Sequence, residues 1–355
     1  QVFIADNIKE VIPEFLMVLK GVIDCPDLPL NVSRSALQND GFVQKISEYI
    51  SKKVADKLSG MCKTDKENYE KYWDDISPFI KFGCLKDEKF CEKMSDYVLF
   101  KNLDHKYMTL KECIGKNGGK AEPEEKTEGE NAEPEEKTEG ENAEQSAEKK
   151  EAEKTTIYYV TDEQQQSQYI NMFKKEGLDA VILSHNIDSP FITQMEQKNE
   201  HIKFQRIDAD LTDHFKEDVS EEEKEAFKEK TDSLVEIFRK ALGNDKLEVK
   251  VEKMKDENVA SMITLSEESR RMQEMMKMYG MSGMDPSMFG TNATLILNAN
   301  HPLVEYVVEH KDGENTEMFC HQLYDLAMLA HKPLSPEEMT EFVKRSNEIM
   351  MKLAK

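Results

Sequence analysis

No run of about 18 apolar residues occurs in the 355-residue sequence, so no segment is expected to cross a bilayer as a helix. Basic residues are in deficit. The 48 Lys and Arg face 71 Asp and Glu, a formal charge of −23 that repels phosphate backbones and anionic lipid heads. Nucleic acid and membranes are therefore not expected as partners. The cysteines, Cys25, Cys62, Cys84, Cys91, Cys113 and Cys320, form no CxxC pair, and no secretory leader precedes them. That usage is expected of a reducing cytoplasm. The eight histidines include no HExxH and no spacing with cysteine or carboxylate that suits zinc, so no metal site is expected. An initiator Met is also missing. The chain opens at Gln1-Val2-Phe3-Ile4-Ala5, inside a strand-like run, which reads as an incomplete N-terminus.

What is present falls into segments. Apolar residues from Ile8 to Val22 follow helical spacing, interrupted by Pro13 and closed by Gly21. A Pro-containing loop, Cys25 to Val32, leads to Ser33 as an N-cap candidate, and residues 33 to about 114 read as a mostly helical bundle. Residues 121–131 (AEPEEKTEGEN) then recur unchanged at 132–142. Such a composition has almost nothing to bury, so residues 118–154 are expected to be a disordered, solvated linker. An acidic docking arm is the other reading of it.

After the linker the pattern runs strand, helix, strand, helix, strand, from Ile157 to Ile207: a small βαβαβ unit with Gly177 stopping its first helix and Pro190 in the first turn of its second. Its first turn, Thr161-Asp162-Glu163-Gln164, carries no glycine to admit a phosphate to the helix N-terminus, so neither a dinucleotide site nor a P-loop is expected. Ser220 with Glu223 is a capping box for a helix that Gly243 stops. Strands at Leu247–Val251 and Thr294–Leu297 and a helix from Leu303 follow, with His301 before Pro302 at its start. Two amphipathic helices end the chain, the last capped by Ser335-Pro336-Glu337-Glu338. Their apolar positions include Leu323, Leu326, Phe342, Ile349 and Leu353. Pairing with the same helices of a second copy, as a four-helix bundle, and packing on their own domain both satisfy the pattern.

Two groups of residues are candidates for function. Arg34 stands where the Pro-containing loop meets a helix, with Gln38 one turn later; a guanidinium there has donors to offer a phosphate oxygen, although an ordinary surface ion pair fits the bare sequence as well. Met272, Met275, Met276 and Tyr279 fall at i, i+3, i+4 and i+7. Unbranched thioethers on an exposed face suit loose binding of varied apolar segments, and a buried amphipathic face is the alternative.

The stretch from Gly21 to Gln38, GVIDCPDLPLNVSRSALQ, closely resembles the middle-domain signature of the heat-shock protein 90 family, with Cys25 for the usual Ser and Ser35 for the usual Glu. Lys71-Tyr72-Trp73, Ile157-Tyr158-Tyr159-Val160-Thr161 and Leu295 to Leu303 resemble the family in the same order, and the likeness is to its bacterial HtpG type. The resemblance implies an ATP-dependent chaperone, here without its N-terminal ATP-binding domain. Arg34 would reach the ATP γ-phosphate with Gln38 supporting its loop, Met272, Met275, Met276 and Tyr279 would contact clients, and the last two helices would form a homodimer. ATP and Mg would be cofactors of the complete protein, an ATPase, with none bound by this chain alone. The ending Lys352-Leu353-Ala354-Lys355 is not the acidic tail that co-chaperones read in eukaryotic relatives, so such co-chaperones are not expected. The expected fold is mixed α/β: residues 1–117 part of the larger middle-domain unit with its helical bundle, 155–218 the small αβ unit, and 219–355 an α+β dimerisation domain. A nucleotide-independent client-binding adaptor or holdase is the alternative function.

Overall fold

The computed structural model describes residues 11–25, 41–116, 154–209, 215–217, 224–267, 269–272 and 293–354. The chain divides into two compact units, Gln1–Ile157 with Leu183–Phe204, and Tyr158–Ile182 with Gln205–Lys355. Helices and both parallel and antiparallel strand pairs are present, the mixed α and β class that the sequence pattern predicts.

The first unit is built around helices α1 (Gly41–Thr64), α2 (Lys66–Lys86) and α3 (Glu88–Met94). The buried face of α2 carries Tyr69, Trp73, Ser77, Ile80, Lys81 and Cys84, three or four residues apart, so one stripe of a 3.6-residue period points inward. Asp87 starts α3 by accepting the Phe90 N–H at 3.0 Å. A helix through Ile8–Val22 is not what forms. Among the described residues of that stretch there is only a 3₁₀ turn, Glu14–Leu16, entered from Pro13, with Met17, Val18, Leu19 and Val22 exposed. Pro13 supplies no N–H and fixes φ, which suits a turn entry and breaks a helix interior. Helical spacing alone had no way to show this.

The described part of 33–114 is mostly helical, as the sequence pattern predicts, with one element that it does not: strands β1 (Leu99–Asn102) and β2 (Tyr107–Thr109) form an antiparallel hairpin that pairs Phe100 with Met108. Its turn is closed by Asn102, whose side-chain oxygen accepts the N–H groups of Asp104 and Lys106, with His105 at φ 59°. Helix α4 (Leu110–Lys116) follows directly. The strand and helix alternation expected after the linker is present in order: β3 (Thr155–Val160), α5 (Ser167–Lys175), β4 (Val181–Ile182), α6 (Asp188–Lys198) and β5 (Ile202–Arg206). Gly177 ends α5 in the left-handed region at φ 69°, and β3 pairs with β4 in parallel.

The second unit centres on a three-stranded sheet in the order β6-β8-β7, with β6 (Glu248–Glu252) parallel and β7 (Ser261–Thr264) antiparallel to β8 (Thr294–Asn298). Every residue of the central β8 is buried, as expected of a strand covered on both faces. Helix α7 (Lys224–Leu242) lays Leu234 and Phe238 on this core and is ended by Gly243 at φ 59°; the capping pair Ser220 and Glu223 lies outside the described residues. His301 caps α8 (Pro302–Glu309), its Nδ1 accepting the Leu303 N–H at 3.1 Å. Two helices complete the unit, α9 (Thr316–His331) and α10 (Pro336–Leu353). The capping box at the start of α10 forms as the sequence predicts, with Ser335 and Glu338 each accepting the other's backbone N–H.

Candidate functional site

Three places bear on function, and the structure reaches them unequally. Arg34 and Gln38 lie outside the described residues. What is described is their flanks. Before them, Phe15 packs 4.9 Å from Phe90 over Gly83, where a Cβ would fall 2.7 Å from the Phe15 ring. After them, α1 starts at Gly41 and buries Val43. The segment that carries the arginine is therefore followed by a helix packed into the first unit.

Met272 is the last described residue of a helical stretch that begins at Glu267, and it is 40% exposed; Met275, Met276 and Tyr279 lie outside the described residues. The base of this stretch is held by buried charge. Glu267 pairs with Arg270 at 2.5 Å and with Arg271 at 2.9 Å, takes the Tyr159 hydroxyl at 2.9 Å, and accepts the Arg206 N–H at 3.1 Å. Arg270 also bonds Tyr159 and is 2% exposed. Burial of Glu267 raises its carboxyl pKa, but the two guanidiniums and the Arg206 N–H outweigh that and hold it below the usual value. Nearby in the same unit, Asp208 is bound by Arg206 through both of its oxygens, and His331 Nδ1 stands 3.5 Å from it at the end of α9. Burial works against the charged form of Asp208, yet His331 and Arg206 keep it well below the carboxylate range. Sequence reading missed both clusters.

The third place is the terminal helix pair. Helix α10 has no buried residue, and Met339, Val343, Met350, Met351 and Leu353 are all exposed, Leu353 at 83%. Phe342 and Ile349 are half-buried. Its hold on α9 is largely polar: Arg345 donates to Gln322 at 3.0 Å and pairs with Asp325, and Gln322 donates to Ser346 at 3.1 Å. On α9, Leu326 is 46% exposed, whereas Leu323 is 1% exposed among the core side chains of its own unit. Of the five apolar positions singled out in these helices, Leu323 is thus occupied with internal packing. The other four remain reachable.

No group of three metal-ligating side chains occurs among the described residues, and no described helix is long and apolar enough to cross a membrane. A small apolar concavity in the second unit, lined by Tyr169, Met172, Phe173, Phe215 and Met262, has no convergent charged groups.

Comparison with known proteins supplies what the geometry alone does not. The family described as Hsp90 protein matches residues 1–122 and 136–355, leaving out only a stretch inside the acidic repeats. A chaperone protein HtpG of Bacteroides thetaiotaomicron is 33% identical over 98% of this chain and 46% of its own length. Chaperone proteins HtpG of Bacteroides fragilis, 34% identical over 88% of this chain, and Porphyromonas gingivalis, 32% identical over 87%, are covered to 42% and 41% of their lengths. The chain thus spans somewhat less than half the length of these curated relatives.

Proposed function

The chain belongs to the Hsp90 protein family, and from that premise we propose that it is the middle and C-terminal part of an ATP-driven, dimeric molecular chaperone of the HtpG type that binds non-native proteins. The observation that carries the reading, beyond membership, is the apolar face of α10: an 18-residue helix with every side chain at least partly open, tied to α9 by polar contacts, needs a cover. A second copy offers the same two helices across a twofold axis, and the self-complementary surface runs through Leu326, Phe342, Ile349 and Leu353.

In this reading Arg34, with Gln38 behind it, supplies a guanidinium to the γ-phosphate of ATP held with Mg by another part of the complete protein, where charge builds as the phosphoryl group leaves. Met272, with Met275, Met276 and Tyr279, forms the client surface. The half-exposed thioether of Met272 beside a rigid, charge-anchored base suits apolar segments of varied shape. Nucleotide-driven change is then a shift between open and closed forms of the dimer.

Light scattering over a dilution series tests the dimer. The 355-residue chain is expected at about 82 kDa, twice its 41.0 kDa, and Phe342→Asp with Ile349→Asp at 41.0 kDa with unchanged circular dichroism. A chain of 41.0 kDa at every concentration removes dimerisation and the clamp with it. Suppression of aggregation of an unfolded client, lost in Met272→Glu, tests the client surface separately.

A further inference from the structure

The first unit carries a basic surface that the chaperone reading leaves unused. In a chain of net charge −23, α1 bears Lys45, Lys52, Lys53, Lys57 and Lys63 against only Glu48 and Asp56. Both acids are already engaged from α3, Glu48 by Lys89 at 3.3 Å and Asp56 by Lys93 at 2.6 Å. Among the described residues no carboxylate lies within ion-pair distance of Lys45, Lys52, Lys53 or Lys57, all of which are exposed. Lys45, Tyr49, Lys53 and Lys57 succeed one another at steps of four, so they share one ridge of the helix. Tyr49 is 60% exposed, with the Lys53 ammonium 5.5 Å from its ring centre. Asp56 feels Lys52 and Lys53 as well as Lys93, so one carboxylate is shared among several ammoniums, and the ridge is a stripe of net positive charge with an aromatic ring at its middle.

We propose that this face of α1 is the docking surface for the chain's own acidic repeat, residues 121–142. The repeat carries ten glutamates against two lysines, the opposite sign at high density. It also leaves the described structure in the right place. Helix α4 ends at Lys116 just before the repeats, and its Glu112 lies 3.9 Å from Lys66 at the start of α2 and influences the Cys62 thiol near the end of α1. At about 1.5 Å per residue α1 is about 36 Å long, and 22 extended residues span about 70 Å, so the repeat reaches the whole stripe. Exposed ion pairs are individually weak. A short tether raises their effective concentration to the millimolar range, enough to make several of them a contact in the same chain. Docked there, the repeat masks a basic surface that would otherwise attract acidic segments of other proteins.

Zero-length carbodiimide coupling of the full chain, read by peptide mass spectrometry, tests this, because it joins a lysine amine to a glutamate carboxylate only when the two are in contact. A mixture of isotopically labelled and unlabelled chains separates links within a chain from links between copies. The expected result is that links within one chain from Lys45, Lys52, Lys53 and Lys57 to repeat glutamates exceed those from the exposed Lys332 and Lys344 by about tenfold at low salt. They vanish at about 1 M salt, where the screening length is about 3 Å. Lys52→Glu with Lys53→Glu and Lys57→Glu, exposed positions that leave the fold intact by circular dichroism, is expected to remove them and to speed cleavage of the repeats by a glutamate-specific protease. Links spread evenly over exposed lysines, links found only between copies, or protease cleavage indifferent to the triple substitution each overturn the proposal. None of these readouts depends on dimerisation or client binding.

Discussion

Lys81 and Asp188 form the most deeply buried ion pair described, with Nζ 2.5 Å from Oδ1 and side chains 5% and 3% exposed, joining α2 to α6 across 107 residues of sequence. The second carboxylate oxygen accepts the His185 N–H at 2.9 Å, and the ammonium lies 5.9 Å from the centre of the Phe191 ring. Removing one partner strands a charge where water does not reach it. Lys81→Met is accordingly expected to cost about 3–5 kcal/mol. Lys81→Met with Asp188→Asn leaves no buried charge and keeps an acceptor for His185, so the double substitution costs at least about 2 kcal/mol less than the two single ones added together. The sole tryptophan, Trp73, sits on the same buried face of α2 and reports unfolding of this unit by fluorescence. With a urea slope of about 2 kcal/mol per molar, the single substitution lowers the midpoint by about 2 M. A shift under about 0.5 M, or strictly additive effects, would refute the argument that the charge is uncompensated without its partner.

Gly83→Ala places a methyl 2.7 Å from the Phe15 ring and 2.8 Å from that of Phe90, and is expected to cost about 1–3 kcal/mol in the same fluorescence assay. Glu267 titrates below its usual range in the folded chain, so the stability it contributes is fully present above its unfolded pKa of about 4.3 and is lost as the pH falls through the folded value. Glu267→Gln is therefore less stable than the parent at pH 7, and melting curves taken at decreasing pH should bring the two together; a constant gap down to the acid range contradicts the assignment. Leu323→Ala is expected to cost about 2–5 kcal/mol in any oligomeric state, whereas Leu326→Ala leaves the stability of the single chain within about 0.5 kcal/mol and weakens only the proposed self-association. Chemical denaturation at low and high protein concentration separates the two.

The features that proved legible in the sequence are those written within a few residues. Ser335 with Glu338, His301 before Pro302, and the glycines at 177 and 243 specify helix ends through hydrogen bonds and backbone angles that need no distant partner. The hairpin at Leu99–Thr109 escaped because short apolar runs do not separate strand from helix by period alone. The turn chemistry of Asn102 was the available sign. The buried ion clusters escaped for a different reason. Lys81 and Asp188 lie 107 residues apart, and although Glu267 has Arg270 and Arg271 close by in sequence, the Tyr159 hydroxyl and Arg206 N–H that complete its site come from 108 and 61 residues away, so these sites form only after the chain has folded. One sign did exist. Lys81 occupies a position on the same helical stripe as Trp73, Ser77 and Cys84, and a lysine on an inward stripe demands a carboxylate from elsewhere.

The terminal helices pose the inverse problem, since α9 and α10 show similar apolar spacing although one fills its own core and the other does not. Periodicity says that a face needs covering and is silent on what covers it. The distinction lies in the neighbours: α9 places Cys320, Leu323, Ala327 and Met328 in the core of its unit, while α10 buries no side chain and is tied to α9 through Arg345, Gln322, Asp325 and Ser346. The apolar side chains of α10 are thus left uncovered by their own unit.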